Sequence, residues 1–189
     1  MVDEKEQIIQ NLDENNIAVT ELVHQRSNIW IEHVLFTWQW WLGVALSIVP
    51  WVLWLFWRKR QSTDRSLYIG LFAITISVIL DISGSQIGLW HYRYEVIPFL
   101  PTYFPWDICL MPVSICFLIE YKPHINPFIK ALIFAIGASY IAEPFFNWIN
   151  VYSLDNWRYS YSLPIQFLIY LSCHYISTRD KFQPFNSRG

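Results

Sequence analysis

The sequence predicts an all-α, polytopic membrane helix bundle of about five transmembrane helices behind an N-terminal acidic segment. Three observations carry that class. Hydrophobic residues make up 54% of the 189-residue chain and charged residues only 15%, whereas soluble domains run nearer to a quarter charged. Eleven tryptophans exceed the needs of a soluble core this size and suit the two interfaces of a bilayer. Several apolar runs approach the roughly 17–25 residues that a helix needs to cross one.

Residues 1–37 form the first region. Asp3, Glu4, Glu6, Asp13, Glu14, Glu21 and Glu32 stand there against Lys5 and Arg26. Ile8, Ile9, Leu12, Ile17, Val19, Leu22, Val23, Ile29 and Ile31 recur in a broken helical pattern. That pattern fits an amphipathic helix on the outer surface, a pairing helix or a solvated tail. Its acidity opposes attraction to anionic lipid, and no basic stretch leads into an apolar one as in a cleaved signal peptide.

The membrane domain is expected over residues 38–178. Its first span, 38–57, "WQWWLGVALSIVPWVLWLFW", has tryptophan at both ends and stops at Arg58-Lys59-Arg60. The second covers about 67–87, the third, a short one, about 105–121, the fourth about 128–149 and the fifth about 163–178. Pro112, Pro144 and Pro164 fall within these runs, where membrane helices tolerate them. Residues 179–189 form a short basic tail. Lys and Arg set the orientation. With loop 58–66 in the cytoplasm, Arg58, Lys59, Arg60, Arg65, Lys122, Lys130, Arg179, Lys181 and Arg188 lie inside, against Lys5, Arg26, Arg93 and Arg158 outside. The N-terminus is therefore expected outside and the C-terminus in the cytoplasm.

This topology puts "GLWHYRYEVIPFLPTYFPWD", Gly88 to Asp107, outside between the second and third spans. Trp90, Tyr92, Tyr94, Tyr103 and Trp106 suit headgroup level. Pro98, Pro101 and Pro105 stiffen the backbone and favour extended geometry before them, so the loop is expected to fold down on the bundle.

Polar groups inside apolar runs are the candidate site, because a charge within a span is costly and faces a bundle interior or wet cavity. Asp81 interrupts the second span and shares a helical face with Ser77, Gly84, Ser85 and Gly88. Ser139, Glu143 and Asn147 form a stripe at offsets of four in the fourth span, and Pro144 frees a nearby carbonyl. Asp107 opens the third span like a first-turn acid. Gln166 begins the fifth, with Tyr170 and His174 continuing its face. Asp81, Asp107, Glu143 and Gln166 fall in the outer half, under a loop that carries Trp90, His91 and Arg93. A pocket lined by Asp81, Ser85, Trp90, His91, Arg93, Asp107, Glu143, Asn147 and Gln166 is the expectation. Competing structural roles are an N-terminal acid for Asp107, interhelical hydrogen bonding for Gln166, and pairing of Asp81 and Glu143 with Arg93 or His91.

Other chemistries find no support. No basic stripe with interleaved aromatics suits nucleic acid. Cys109, Cys116 and Cys173 are odd in number and sit in apolar runs, neither a disulfide framework nor a zinc spacing. His91 has no second histidine at metal-ligand spacing. Neither metal nor cofactor is expected.

"DISGSQIGLWHY…PFLPTYFPWD", then "MPV" and "EP", resembles an uncharacterised family of small multi-pass integral membrane proteins of spore-forming bacteria. Gly88-Leu89-Trp90-His91-Tyr92 and Phe104-Pro105-Trp106-Asp107 carry the resemblance, over about residues 38–178. It implies a bacterial plasma-membrane location and a helix count, without a reaction. The chain also resembles membrane-embedded carotenoid cyclases and hydratases, in which an acid in one span is followed by a glycine–tryptophan turn and a proline–acid motif. Asp81, Gly88–Trp90 and Pro105–Asp107 correspond, but that motif ends in paired carboxylates and Asp107 stands alone before Ile108.

The leading functional expectation is binding of a lipid-like or small amphipathic molecule, or a partner helix, in the outer half, with Asp81 and Glu143 as anchors. One alternative is an isoprenoid or carotenoid-type cyclase or hydratase with Asp81, Asp107 and Glu143 as acid–base residues. Another is a transporter or channel subunit, disfavoured by the apolar inner halves of spans two and four. Membrane lipids and a protein partner or second copy are the expected neighbours.

Overall fold

The computed structural model describes residues 2–179, so most of the basic tail, with Lys181 and Arg188, lies outside the described residues. The protein is mostly helical: α1 Val2–His33, α2 Trp38–Trp57, α3 Thr63–Gln86, α4 Met111–Glu120, α5 Pro127–Gly137, α6 Glu143–Trp148 and α7 Tyr159–Ser177. Two three-residue strands, β1 Trp90–Tyr92 and β2 Tyr152–Leu154, pair antiparallel.

Three helices are long and apolar enough to cross a membrane: Trp38–Trp57, Arg60–Gln86 and Pro127–Trp148. The last is continuous across α5, a π turn over Ala138–Ala142, and α6. Another π turn, the first in chain order, covers Pro105–Leu110 and leads directly into α4. Each π turn ends two residues before a proline. The Met111 N–H reaches back to the Trp106 carbonyl, and the Glu143 N–H to that of Ala138, each a step of five residues. Pro112 cannot donate to the Ile108 carbonyl four residues behind it, and Trp51 Nε1 of α2 donates there at 3.1 Å. An indole from another helix thus replaces the missing backbone donor.

Successive bundle helices alternate in direction. The 58–62 and 121–126 turns share one end, where the Glu120 carboxylate accepts from the Ser66 hydroxyl and, at 3.3 Å, from the Lys59 N–H. Buried Lys130 donates to the carbonyls of Leu118 at 2.7 Å and Tyr121 at 2.6 Å, putting a cation at the negative end of α4. The ribbon of β1 and β2 covers the opposite end.

Two apolar cores fill the bundle. The larger joins Trp54, Ile69, Ala73, Met111, Ile115, Cys116, Phe134, Ile169 and Cys173 from α2, α3, α4, α5 and α7. Its cysteines are buried and free, small packing groups in agreement with their apolar context. The smaller core, Tyr103, Phe146, Ile149, Val151 and Tyr152, lies under the ribbon. α1 is one unbroken helix whose Ile8, Leu12, Ile17, Val19 and Leu22 are all exposed. Among the described residues, its hydrogen bonds to the rest of the chain lie near its end. Arg26 meets Glu95 at 2.6 Å, and Trp30 Nε1 donates to the Glu95 carbonyl at 2.7 Å.

Candidate functional site

A cavity of about 260 Å³ lies beneath the ribbon, between α3 and α7. Its floor and walls come from Asp81 and Gly84 of α3, Trp106 and Asp107 of the first π turn, Glu143 and Phe146 of α6, and Ile165 and Gln166 of α7. Trp90, Tyr92, Tyr152 and Trp157 close it from the ribbon side. Leu80 and Ile87 also line it and are 40% and 72% exposed, so the cavity opens sideways along α3.

The roof follows from local backbone rules. Gly88, at φ +74°, makes the left-handed turn after α3 that a residue with a Cβ adopts at a cost. The Leu89 carbonyl then accepts from the N–H groups of Asp155 and Asn156, both at 3.0 Å. Register pairs Trp90 with Leu154, His91 with Ser153 and Tyr92 with Tyr152. Alternate strand residues face opposite ways, which sends Trp90 and Tyr92 down into the cavity and His91 up to solvent.

Asp81 locks this roof. One carboxylate oxygen accepts from Trp90 Nε1 at 2.7 Å and the Tyr92 hydroxyl at 2.6 Å; the other accepts from the Tyr103 N–H at 2.9 Å. Asp107 lies beside it, and accepts from the hydroxyls of Ser77 and, at 2.7 Å, Thr102. Five donors from α3, β1 and the 102–103 segment therefore converge on two adjacent acids. Gly84 makes the fit possible: a Cβ there would fall 2.2 Å from the Trp90 ring. The Tyr92 and Tyr103 rings stack at 5.1 Å. Burial raises both phenols above their usual range, Tyr92 with a further push from the Asp81 carboxylate and Tyr103 with one from Glu95.

The opposite wall is different. Glu143 Oε2 and Gln166 Oε1 are both buried and both lack a hydrogen-bond partner. Ser162, which accepts from Trp157 Nε1 at 2.8 Å, stands near the Glu143 carboxyl. Tyr152 is pushed up by burial and then by nearby Glu143. Unpaired buried oxygens are costly in the absence of a donor, so this wall is prepared for one.

Asp81, Trp90, Asp107, Glu143 and Gln166 of the expected set come together around the cavity. Four others do not line it. His91 pairs with Asp155 at 2.7 Å and Arg93 bonds Ser153 at 2.9 Å; strand alternation turns both outward, away from Asp81 and Glu143. The Ser85 hydroxyl bonds the Ile82 and Pro101 carbonyls, and Asn147 Nδ2 bonds the Tyr152 carbonyl at 3.0 Å, so both anchor loops. Asp107 stands in the first turn of its helix, as expected, and its side chain also ties the bundle together through Ser77 and Thr102. Sequence reasoning missed Tyr92, Tyr152 and Trp157 as wall residues. The alternation Trp90-His91-Tyr92 was a strand signal for the first of them.

Comparison of the chain with protein-family models, with curated proteins and with solved structures finds no significant match in any of the three.

Proposed function

We propose that this protein is a five-span plasma-membrane protein, N-terminus outside, that binds the head of a lipid-like or small amphipathic molecule in the cavity beneath the ribbon. The observation that carries the reading is the unpartnered pair Glu143 Oε2 and Gln166 Oε1 in the wall of a cavity lined mostly by aromatic and apolar side chains. Pockets of that composition, with few convergent polar groups, are the usual form of small-molecule sites. The sideways opening past Leu80 and Ile87 would let an acyl or prenyl tail remain in lipid.

Alternation of the bundle helices supports five crossings. The segment 105–120 spans roughly 24 Å at helical rise, short for a bilayer core, and the 87–104 segment packed over its end would make up the difference. Nine of the thirteen Lys and Arg residues then fall on the cytoplasmic side.

A second reading rests on a specific feature: Asp81 and Asp107 lie side by side, which supplies from two helices the paired carboxylates that the Pro105–Asp107 motif lacks in sequence. Acid–base chemistry on an isoprenoid would use that pair. The saturation of Asp81 by three structural donors favours binding over catalysis.

The test is native mass spectrometry with lipid extraction on mildly solubilised wild type, Glu143→Gln and Gln166→Leu. A discrete molecule retained by wild type and lost from the folded variants is the expected outcome. Bulk lipid alone on all three proteins would overturn the reading, and a ligand recovered chemically altered would favour the second.

A further inference from the structure

We infer that the head group bound in this cavity is an organic cation, an amine or quaternary ammonium, and that its tail lies in the sideways opening. This deepens the binding reading above and depends on it.

Three carboxylic acids, Asp81, Asp107 and Glu143, line the cavity, and among the described residues no Lys, Arg or His does. A phosphate, sulfate or carboxylate head would find no cation among these side chains to receive it. Two of the indole donors on the wall are committed elsewhere: Trp90 Nε1 to Asp81, Trp157 Nε1 to Ser162. Glu143 Oε2 and Gln166 Oε1 are acceptors without a partner, and the Tyr103 hydroxyl, also on the wall, is likewise without one. A neutral hydrocarbon would fill the space and leave both acceptors unpaired, at the desolvation cost of buried polar groups.

The rings favour the same class. Trp90, Tyr92, Trp106, Phe146, Tyr152 and Trp157 line the cavity, and the faces of tryptophan and tyrosine attract desolvated cations, the basis of aromatic recognition of ammonium groups. The Trp90 and Trp157 rings stand edge to face, 71° apart with centroids at 5.1 Å, so the wall is a set of angled faces rather than one flat stack. Trp90 is held by Asp81, and Trp157 by the Ser162 hydroxyl beside Glu143. Asp81 therefore orients a ring as well as lining the cavity.

Size limits the occupant. At the ~30 Å³ that a water molecule takes up in the liquid, 260 Å³ matches about nine waters, enough for a trimethylammonium head and a few methylenes. A longer tail has to leave past Leu80 and Ile87.

The probes are three amphiphiles with the same twelve-carbon tail: dodecyltrimethylammonium, dodecanol and dodecyl sulfate. Each is titrated below its micelle concentration into the full chain in lipid nanodiscs, following tryptophan fluorescence and bound stoichiometry by native mass spectrometry. The expected result is saturable binding of one ammonium amphiphile per chain, at least about tenfold tighter than the other two. Glu143→Gln should remove most of that preference while dodecanol binding persists. Equal affinity for dodecanol, or preference for the sulfate, overturns the cation inference and leaves the pocket reading standing. No saturable binding of any probe overturns both. The wild-type selectivity series decides the matter even if the variant misfolds, and circular dichroism checks the variant's fold.

Discussion

The two acidic walls of one cavity have been built for different ends. On the α3 side, Asp81 and Asp107 receive five hydrogen bonds from tryptophan, tyrosine, serine, threonine and backbone. On the α6–α7 side, Glu143 and Gln166 each keep a buried oxygen without a donor. Both walls carry acids in an apolar setting, yet only the first is satisfied by the protein itself. Intramembrane carboxylates are thus poorly described as one category: what decides their role is whether the fold completes their hydrogen bonding.

The sharpest way to break that contrast is Asp81→Ala. It strands the Trp90 indole, the Tyr92 hydroxyl and the Tyr103 N–H together, and should cost about 3–5 kcal/mol, read by thermal or denaturant unfolding in detergent. If Asp81→Ala were nearly neutral, its role as the lock of the roof would fall. Gly84→Ala comes next. Its Cβ overlaps the Trp90 ring, and the forced shift should cost about 1–3 kcal/mol, with altered near-ultraviolet circular dichroism as the roof re-seats. Glu143→Gln should change stability by less than about 1 kcal/mol, because no hydrogen bond to Oε2 is lost. An effect as large as that of Asp81→Ala would show that both walls are structural.

A separate effect concerns pH at the tether between α1 and the roof. Burial raises Glu95 from 4.5 to about 8, with Arg26 opposing and Asp81 adding to the rise. The native state therefore holds this proton more tightly than the unfolded state does. Its contribution is complete below pH 4.5, declines as pH rises toward about 8, and stays lost above that. Glu95→Gln should flatten this part of the stability profile, measured as unfolding midpoint against pH. Smallest of all, substituting Ile8, Leu12 or Leu22 by Gln should shift stability by no more than about 0.5 kcal/mol, since these side chains are exposed on α1.

Much of this was legible in the sequence, and for identifiable reasons. Long apolar runs specify α2, α3 and the Pro127–Trp148 helix, because length and hydropathy are local properties. Asp81 and Glu143 stood out because a charge in such a run is expensive. The ribbon was not read: Trp90, Tyr92 and Tyr152 look like interfacial aromatics, and the pairing of β1 with β2 joins residues about sixty positions apart. The partners of His91 and Arg93 were missed for the same reason, since strand alternation, not proximity in sequence, turns them from the cavity. The adjacency of Asp81 and Asp107 depends on how α3 meets the first π turn, a tertiary fact that no local pattern encodes.

The π turn at Ala138–Ala142 has a consequence for how the chain tolerates insertions and deletions. A π turn closes one turn with one residue more than an α turn, so losing a single position between Ala138 and Ala142 would let the segment relax to an ordinary α-helix with Glu143 still on the face that lines the cavity. The same deletion in the α-helical part of the span would rotate Glu143 by roughly 100°, away from Gln166. The π turn is thus the place where this helix can lose a residue and keep its phase.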